Sequence, residues 1–184
     1  PLDGSIAGTC SNPVLCDRPT STTNALGNTT DYTYDPAHGG LVKVQQPPDE
    51  NGLRPTTDIT YVSRRANYYV SPTIHEESVT PVAKPRYITS CRTAEACPGS
   101  ADERIVDQQY AASTGGPTNI EVAFVTVKTG DGSLSATTSY TYDHLLNVET
   151  IDGPMPSADI IRYRYDAAGQ VEGVIGPDPD AGGA

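Results

Sequence analysis

The sequence predicts an all-β fold of stacked antiparallel β-hairpins, with long Pro/Gly-rich loops and little or no helix. Three observations predict it. Tyrosines recur two apart, at Tyr32/Tyr34, Tyr140/Tyr142 and Tyr163/Tyr165. Each pair is followed by an aspartate (Asp35, Asp143, Asp166) and then by an alternating aliphatic run. Gly and Pro number 17 and 16 in 184 residues, which interrupts the chain too often for long helices.

Residues two apart in a strand point to the same face, so each pair lays two phenol rings side by side. Six of the 11 tyrosines are used this way; with no Trp and one Phe, Tyr is the main large apolar group. The aspartate after each pair opens a turn, its side chain accepting a backbone N–H two residues on. Gly39 and Gly169 stand where a positive φ is needed. In the middle copy Leu146 takes that place, followed by Asn147, so this turn is expected to depart from the other two. The runs Leu41-Val42-Lys43-Val44, Val148-Glu149-Thr150-Ile151 and Val171-Glu172-Gly173-Val174-Ile175 then read as half-buried return strands. Tyr142 and Tyr165 are 23 residues apart, a spacing typical of repeat architectures.

In chain order, residues 1–30 read as an extended Thr/Gly-rich arm with one Cys pair, and residues 31–184 as the repeat domain. The first hairpin, 31–49, ends at Pro47-Pro48. Strands are expected at 56–63 and 66–73. Pro81 and Pro85 mark 75–87 as edge or connecting structure. Residues 88–102 read as an irregular insertion pinned by its own disulfide. Residues 103–110 form a degraded repeat strand ending at Tyr110. Residues 120–129 alternate well, Gly130-Asp131-Gly132 turns the chain, and 134–142 pairs back.

Tyr-Asp-x-x-Gly, an aliphatic strand and a Pro/Asp/Gly loop together resemble the YD repeat of Rhs proteins; Tyr165 through Val171 is the closest match. The resemblance covers residues 31–61 and 138–180 and, with the unit at 106–110, about half the chain. It implies strands that spiral into a hollow shell and no cofactor for the repeat. The self-cleaving aspartyl segment found near the end of many Rhs shells is not recognisable.

A net charge of −11 argues against nucleic acid and anionic membrane surfaces as partners. No run is apolar enough to span a bilayer as a helix. Cys10/Cys16 and Cys91/Cys97 have identical spacing, wider than metal sites prefer, and His38, His75 and His144 follow no ligand pattern. Two local disulfides are the first choice among three connectivities, with free buried thiols as the alternative. Disulfides imply an oxidising compartment, hence a secreted or cell-surface protein. The chain starts at Pro1, as a processed chain or a piece of a longer one would. Asn28-Thr29-Thr30 matches an N-glycosylation acceptor. Asp131 and the Asp178/Asp180 pair are sparse Ca²⁺ candidates better explained as turn residues.

No hydrolase elbow, basic Cys/His pair, apposed carboxylate pair or phosphate loop is present. The expectation is a non-enzymatic extracellular scaffold, without metal or cofactor, that self-associates through strand edges into a filament or larger shell. Two alternatives are a surface adhesin holding glycans on Tyr-lined strands or Thr-rich loops and a fragment of a toxin-encapsulating shell.

Overall fold

The computed structural model describes residues 11–71, 74–91, 93–111, 117–155 and 159–177. The chain is all-β. Its strands are β1 (Ser21–Thr23), β2 (Thr29–Tyr34), β3 (Leu41–Gln45), β4 (Thr56–Arg64), β5 (Asn67–Ser71), β6 (Ile74–Glu77), β7 (Val82–Cys91), β8 (Glu103–Tyr110), β9 (Val122–Thr129), β10 (Ser135–Tyr142), β11 (Val148–Asp152), β12 (Ile161–Tyr165) and β13 (Val171–Ile175). A single 3₁₀ turn, Pro117–Ile120, is the only helical element among the described residues.

Eleven strands form one antiparallel meander in the order β1-β2-β3-β4-β7-β8-β9-β10-β11-β12-β13. The β5–β6 hairpin projects from the connection between β4 and β7. Register divides the sheet into two unlike faces. One carries Tyr32 opposite Val44, then the row Ile59–Ile88–Val106–Val127–Ala136, then Tyr140–Ile151–Ile161 and Tyr163–Val174. The other carries Lys43–Asp58–Thr89, Thr60–Tyr87–Asp107–Thr126–Thr137 and Thr141–Thr150–Arg162. The alternation is that of a sheet with one apolar and one hydrated side.

Nothing among the described residues forms a second layer over the apolar face. Val106, 8% exposed, is the one buried apolar side chain among them, while Thr56, Asn67, Asp107 and Asn119 are buried polar ones. Stability therefore comes mainly from lateral contacts within the sheet rather than from a packed core.

One five-residue turn recurs at 24–28, 49–53, 143–147 and 166–170. Its first residue, Asn24, Asp49, Asp143 or Asp166, accepts through one side-chain oxygen the N–H groups two and four residues on, at 2.8–3.0 Å. Its fourth residue has positive φ: Gly27, Gly52, Leu146 and Gly169. The turn at Leu146 thus matches its relatives instead of departing from them, because the Asp143 side chain and Asn147 hold the backbone there at φ 67°. The turn that differs is the first, residues 35–40, which has one residue more and closes through Asp35 N–H to Gly40 O at 2.8 Å.

Three other expectations are corrected. Residues 1–30, read as an arm, contribute β1, so the sheet begins at Ser21. Pro85 sits inside the central strand β7 rather than on an edge. It stands opposite Tyr61 at a β-bulge, where a missing N–H is tolerated. Residues 88–91 of the supposed insertion complete β7, and the irregular part follows them. Cys91 and Cys97 are joined in a disulfide; Cys10 lies outside the described residues, so its expected bond to Cys16 does too.

Leu146 is 40% exposed and holds a conformation that costs an L-residue about 1–2 kcal/mol. Leu146→Gly should therefore raise stability by about 0.5–1 kcal/mol after the extra chain entropy of glycine. Gly169→Leu should lower it by about 1–2 kcal/mol. Urea-unfolding midpoints of the two variants, moving in opposite directions, check this.

Candidate assembly interface

The tyrosine before each turn does more than pack. Tyr34, Tyr61, Tyr110, Tyr142 and Tyr165 end β2, fall within β4, and end β8, β10 and β12. At each of them the register with the following strand shifts by one residue. The unmatched residues, Val42, Arg86, Ala123, Glu149 and Glu172, all lie on the second strand of their hairpin. These are β-bulges, and they recur at one end of the sheet.

Four of the five phenols reach back to the strand before their own, and Tyr34 reaches the segment just before β1. Tyr34 donates to Pro19 O at 3.1 Å, Tyr61 to Leu41 O at 3.0 Å, Tyr110 to Pro85 O at 2.6 Å, Tyr142 to Val122 O at 2.8 Å and Tyr165 to Val148 O at 2.8 Å. Leu41, Pro85, Val122 and Val148 are the residues that stand opposite Tyr34, Tyr61, Tyr110 and Tyr142 across their bulges. Tyr61, Tyr110, Tyr142 and Tyr165 thus each bond the carbonyl of the residue that stands opposite the preceding tyrosine at its bulge. The result is a ladder of hydroxyl–carbonyl bonds running from β1 to β12.

Of the predicted anchors, Tyr32, Tyr34, Tyr140, Tyr142, Tyr163 and Tyr165 are half-buried, and Thr33, Thr141 and Arg164 between them are exposed. The members of each pair therefore share the apolar face. Asp35, Asp143, Asp166 and Gly169 build the turns beside them. Tyr61 and Tyr110 complete the set. Tyr61 lacks a following Asp, and Tyr110 stands after Gln-Gln instead of a Tyr-x pair. Their shared signal is only a tyrosine near a strand end. Asn28 is exposed at the end of the 24–28 turn. Asp131 receives Thr129 and Ser133 within its own turn, and Asp178 and Asp180 lie outside the described residues.

Polar pegs brace the sheet between the rungs. Arg86 Nη2 lies 3.1 Å from Asp107 Oδ1, and its guanidinium stacks over Tyr87. Arg64 stacks over Tyr110 and donates to Asn119 O and Ala111 O. Asn119, 1% exposed, donates to Arg65 O and accepts from Asn67 N–H, fixing the β5–β6 hairpin to the 3₁₀ turn. The groove beside this cluster, lined by Ser63, Arg64, Glu77 and Tyr110, is open and shallow. Among the described residues no cluster of His, Cys, Asp and Glu could hold a metal ion.

The two edges differ. β1 is three residues long, polar and exposed along its whole length, as protective edge strands are. β13 is five residues long, with Val171, Val174 and Ile175 half or more exposed and no lysine, proline or bulge toward the open side.

Burial pushes the phenols of Tyr61, Tyr110 and Tyr142 up from their ordinary range. The carboxyl groups of Asp35, Asp131 and Asp143 are held down, chiefly by the Ala37 N–H, the Ser133 N–H and the Asn147 side chain respectively. No protein-family model matches the chain, and no curated protein matches it significantly.

Two outcomes follow for the ladder. Tyr142→Phe should cost about 1 kcal/mol by leaving Val122 O unpaired, while Tyr69→Phe, at a side chain 51% exposed, should stay within about 0.5 kcal/mol. Denaturant titration separates them. The depressed carboxyl groups favour the fold above about pH 4, and that contribution is lost as pH falls through their folded values. The raised phenols favour it below about pH 10, and theirs is lost as pH rises through their folded values. The melting temperature should thus fall at both extremes. Asp143→Asn, which retains the accepting oxygen as Asn24 does, should soften the acid limb alone.

Proposed function

We propose that this chain is a non-enzymatic extracellular scaffold of YD-repeat type, which assembles with further copies through its strand edges into a filament or larger shell. The observation that carries the proposal is the open-ended ladder. Five tyrosine-and-bulge units lie side by side in one sheet, and none of them closes on another. An array of this kind needs neighbours or caps to satisfy its terminal strands. The edge of β13, unpaired among the described residues, has the length and apolar character that favours strand addition. The half-exposed Tyr, Val and Ile face is suited to lining a larger wall.

The anchor tyrosines turn their hydroxyls to backbone carbonyls. That favours a structural role for them over glycan capture. The Cys91–Cys97 disulfide, and the absence of a long apolar helix among the described residues, are compatible with residence outside the cell. The YD-repeat kinship rests on the recurring Tyr-Asp turn and its return strand.

The test is light scattering and negative-stain microscopy of the purified chain over a concentration series. Assemblies that grow with concentration are expected. Strictly monomeric particles at the highest concentration would overturn the proposal.

A further inference from the structure

Among the described residues the ladder leaves one carbonyl without its tyrosine. Tyr34, Tyr61, Tyr110 and Tyr142 each stand opposite a residue whose carbonyl accepts the next tyrosine. Tyr165 stands opposite Val171 in the same way. Among the described residues no side chain reaches the Val171 carbonyl. At the other edge the matching tyrosine, Tyr34, is held by Pro19 O, beside a strand that pairs with β2 over three residues.

From this complementarity we propose that β13 of one copy displaces β1 from β2 of a second copy, so that the second copy's Tyr34 hydroxyl moves from Pro19 O to the first copy's Val171 O. The inference deepens the edge-assembly proposal and rests on it. β1 is then a removable cap that shields β2 in the free chain. The exchange preserves strand direction, because β1 and β13 are both second strands: β1 holds the position relative to β2 that β3, β7, β9 and β11 hold relative to the strand after them. Pairing remains antiparallel, and the apolar face of one copy continues into the next.

The ladder also fixes the register. Placing Val171 where Pro19 stands puts Gly173 in the place of Ser21, Val174 in that of Thr22 and Ile175 in that of Thr23. Gly173 then faces Asp31, Val174 faces Thr30 and Ile175 faces Thr29. Five residues replace three, and exposed Val174 and Ile175 gain neighbours in place of two threonines. In the free chain Tyr32 N–H bonds Thr20 O and Asn24 N–H bonds Asn28 O, so Thr23 and Thr29 form one of the intervening, non-hydrogen-bonded pairs. Side chains approach closely there, as the 2.9 Å contact between the Thr23 and Thr29 hydroxyls shows.

The experiment is cysteine trapping with Ile175→Cys and Thr29→Cys in the full chain. Within one chain these positions are nine strand steps apart, roughly 43 Å at about 4.8 Å per step, far beyond disulfide reach. Mild oxidation of the double variant should give a ladder of disulfide-linked multimers on a non-reducing gel. An equimolar mixture of the two single variants should give their heterodimer without longer species. Assemblies seen by light scattering but without this cross-link would overturn the exchange and leave edge assembly standing; no assemblies from the unmodified chain would overturn both. Thr22→Pro, in otherwise unmodified chain, provides a second readout. It removes an N–H that holds the cap and should speed assembly severalfold. An unchanged or slower rate would overturn the cap.

Discussion

The structure depends on a sheet that must hold together sideways. Most domains bury an apolar layer beneath a second one. Here eleven of the described strands form one layer, and among the described residues the single buried apolar side chain is Val106. Each strand is stabilised mainly by the two beside it, through backbone ladders, cross-strand pairs and the reach of a tyrosine. The phenol suits this task because its ring covers neighbouring aliphatics while its hydroxyl meets a carbonyl beyond them. A phenylalanine would do only the first.

The bulge and the tyrosine belong to one device. A bulge breaks the even matching of donors and acceptors along a pair. In this sheet the affected carbonyl is answered by a side chain from the following hairpin, at Leu41, Pro85, Val122 and Val148. Even Pro85 fits this scheme, since it occupies a position used for its carbonyl. Hydroxyl pairs on the opposite face, such as Thr126–Thr137 at 2.9 Å and Thr141–Thr150 at 2.7 Å, add further cross-strand ties.

The three Tyr-x-Tyr-Asp hairpins were legible in the sequence because period-two tyrosines and an Asp turn each leave a local mark. The 120–142 hairpin was legible for the same reason, with its Gly-Asp-Gly turn. The ladder was not, because a hydroxyl-to-carbonyl bond places no demand on the identity of the accepting residue: Pro, Leu and Val all serve. The likeness of the turns at 24–28 and 49–53 to the Tyr-Asp turns leaves a weaker mark in the sequence, because Asn24 stands in place of Asp and neither follows a tyrosine. The Leu146 turn is not legible from backbone preference, because what holds it is the pair of N–H groups, from Leu145 and Asn147, that Asp143 gathers around it. Asn119 was invisible, since its role depends on bringing together residues more than 50 positions apart.

The inserted residues also have a geometric consequence. Val42, Arg86, Ala123, Glu149 and Glu172 all lengthen the same rim of the sheet, one per hairpin, while the far rim receives no matching additions at these pairs. Like wedge-shaped bricks in an arch, units longer on one side deflect the course in a constant sense. Each bulge bends its strand and adds local twist, so the same deflection is expected at every hairpin that carries one. In the proposed assembly the radius of the wall would be set by how regularly the extra residue recurs, and deleting one of them would flatten the sheet at that point.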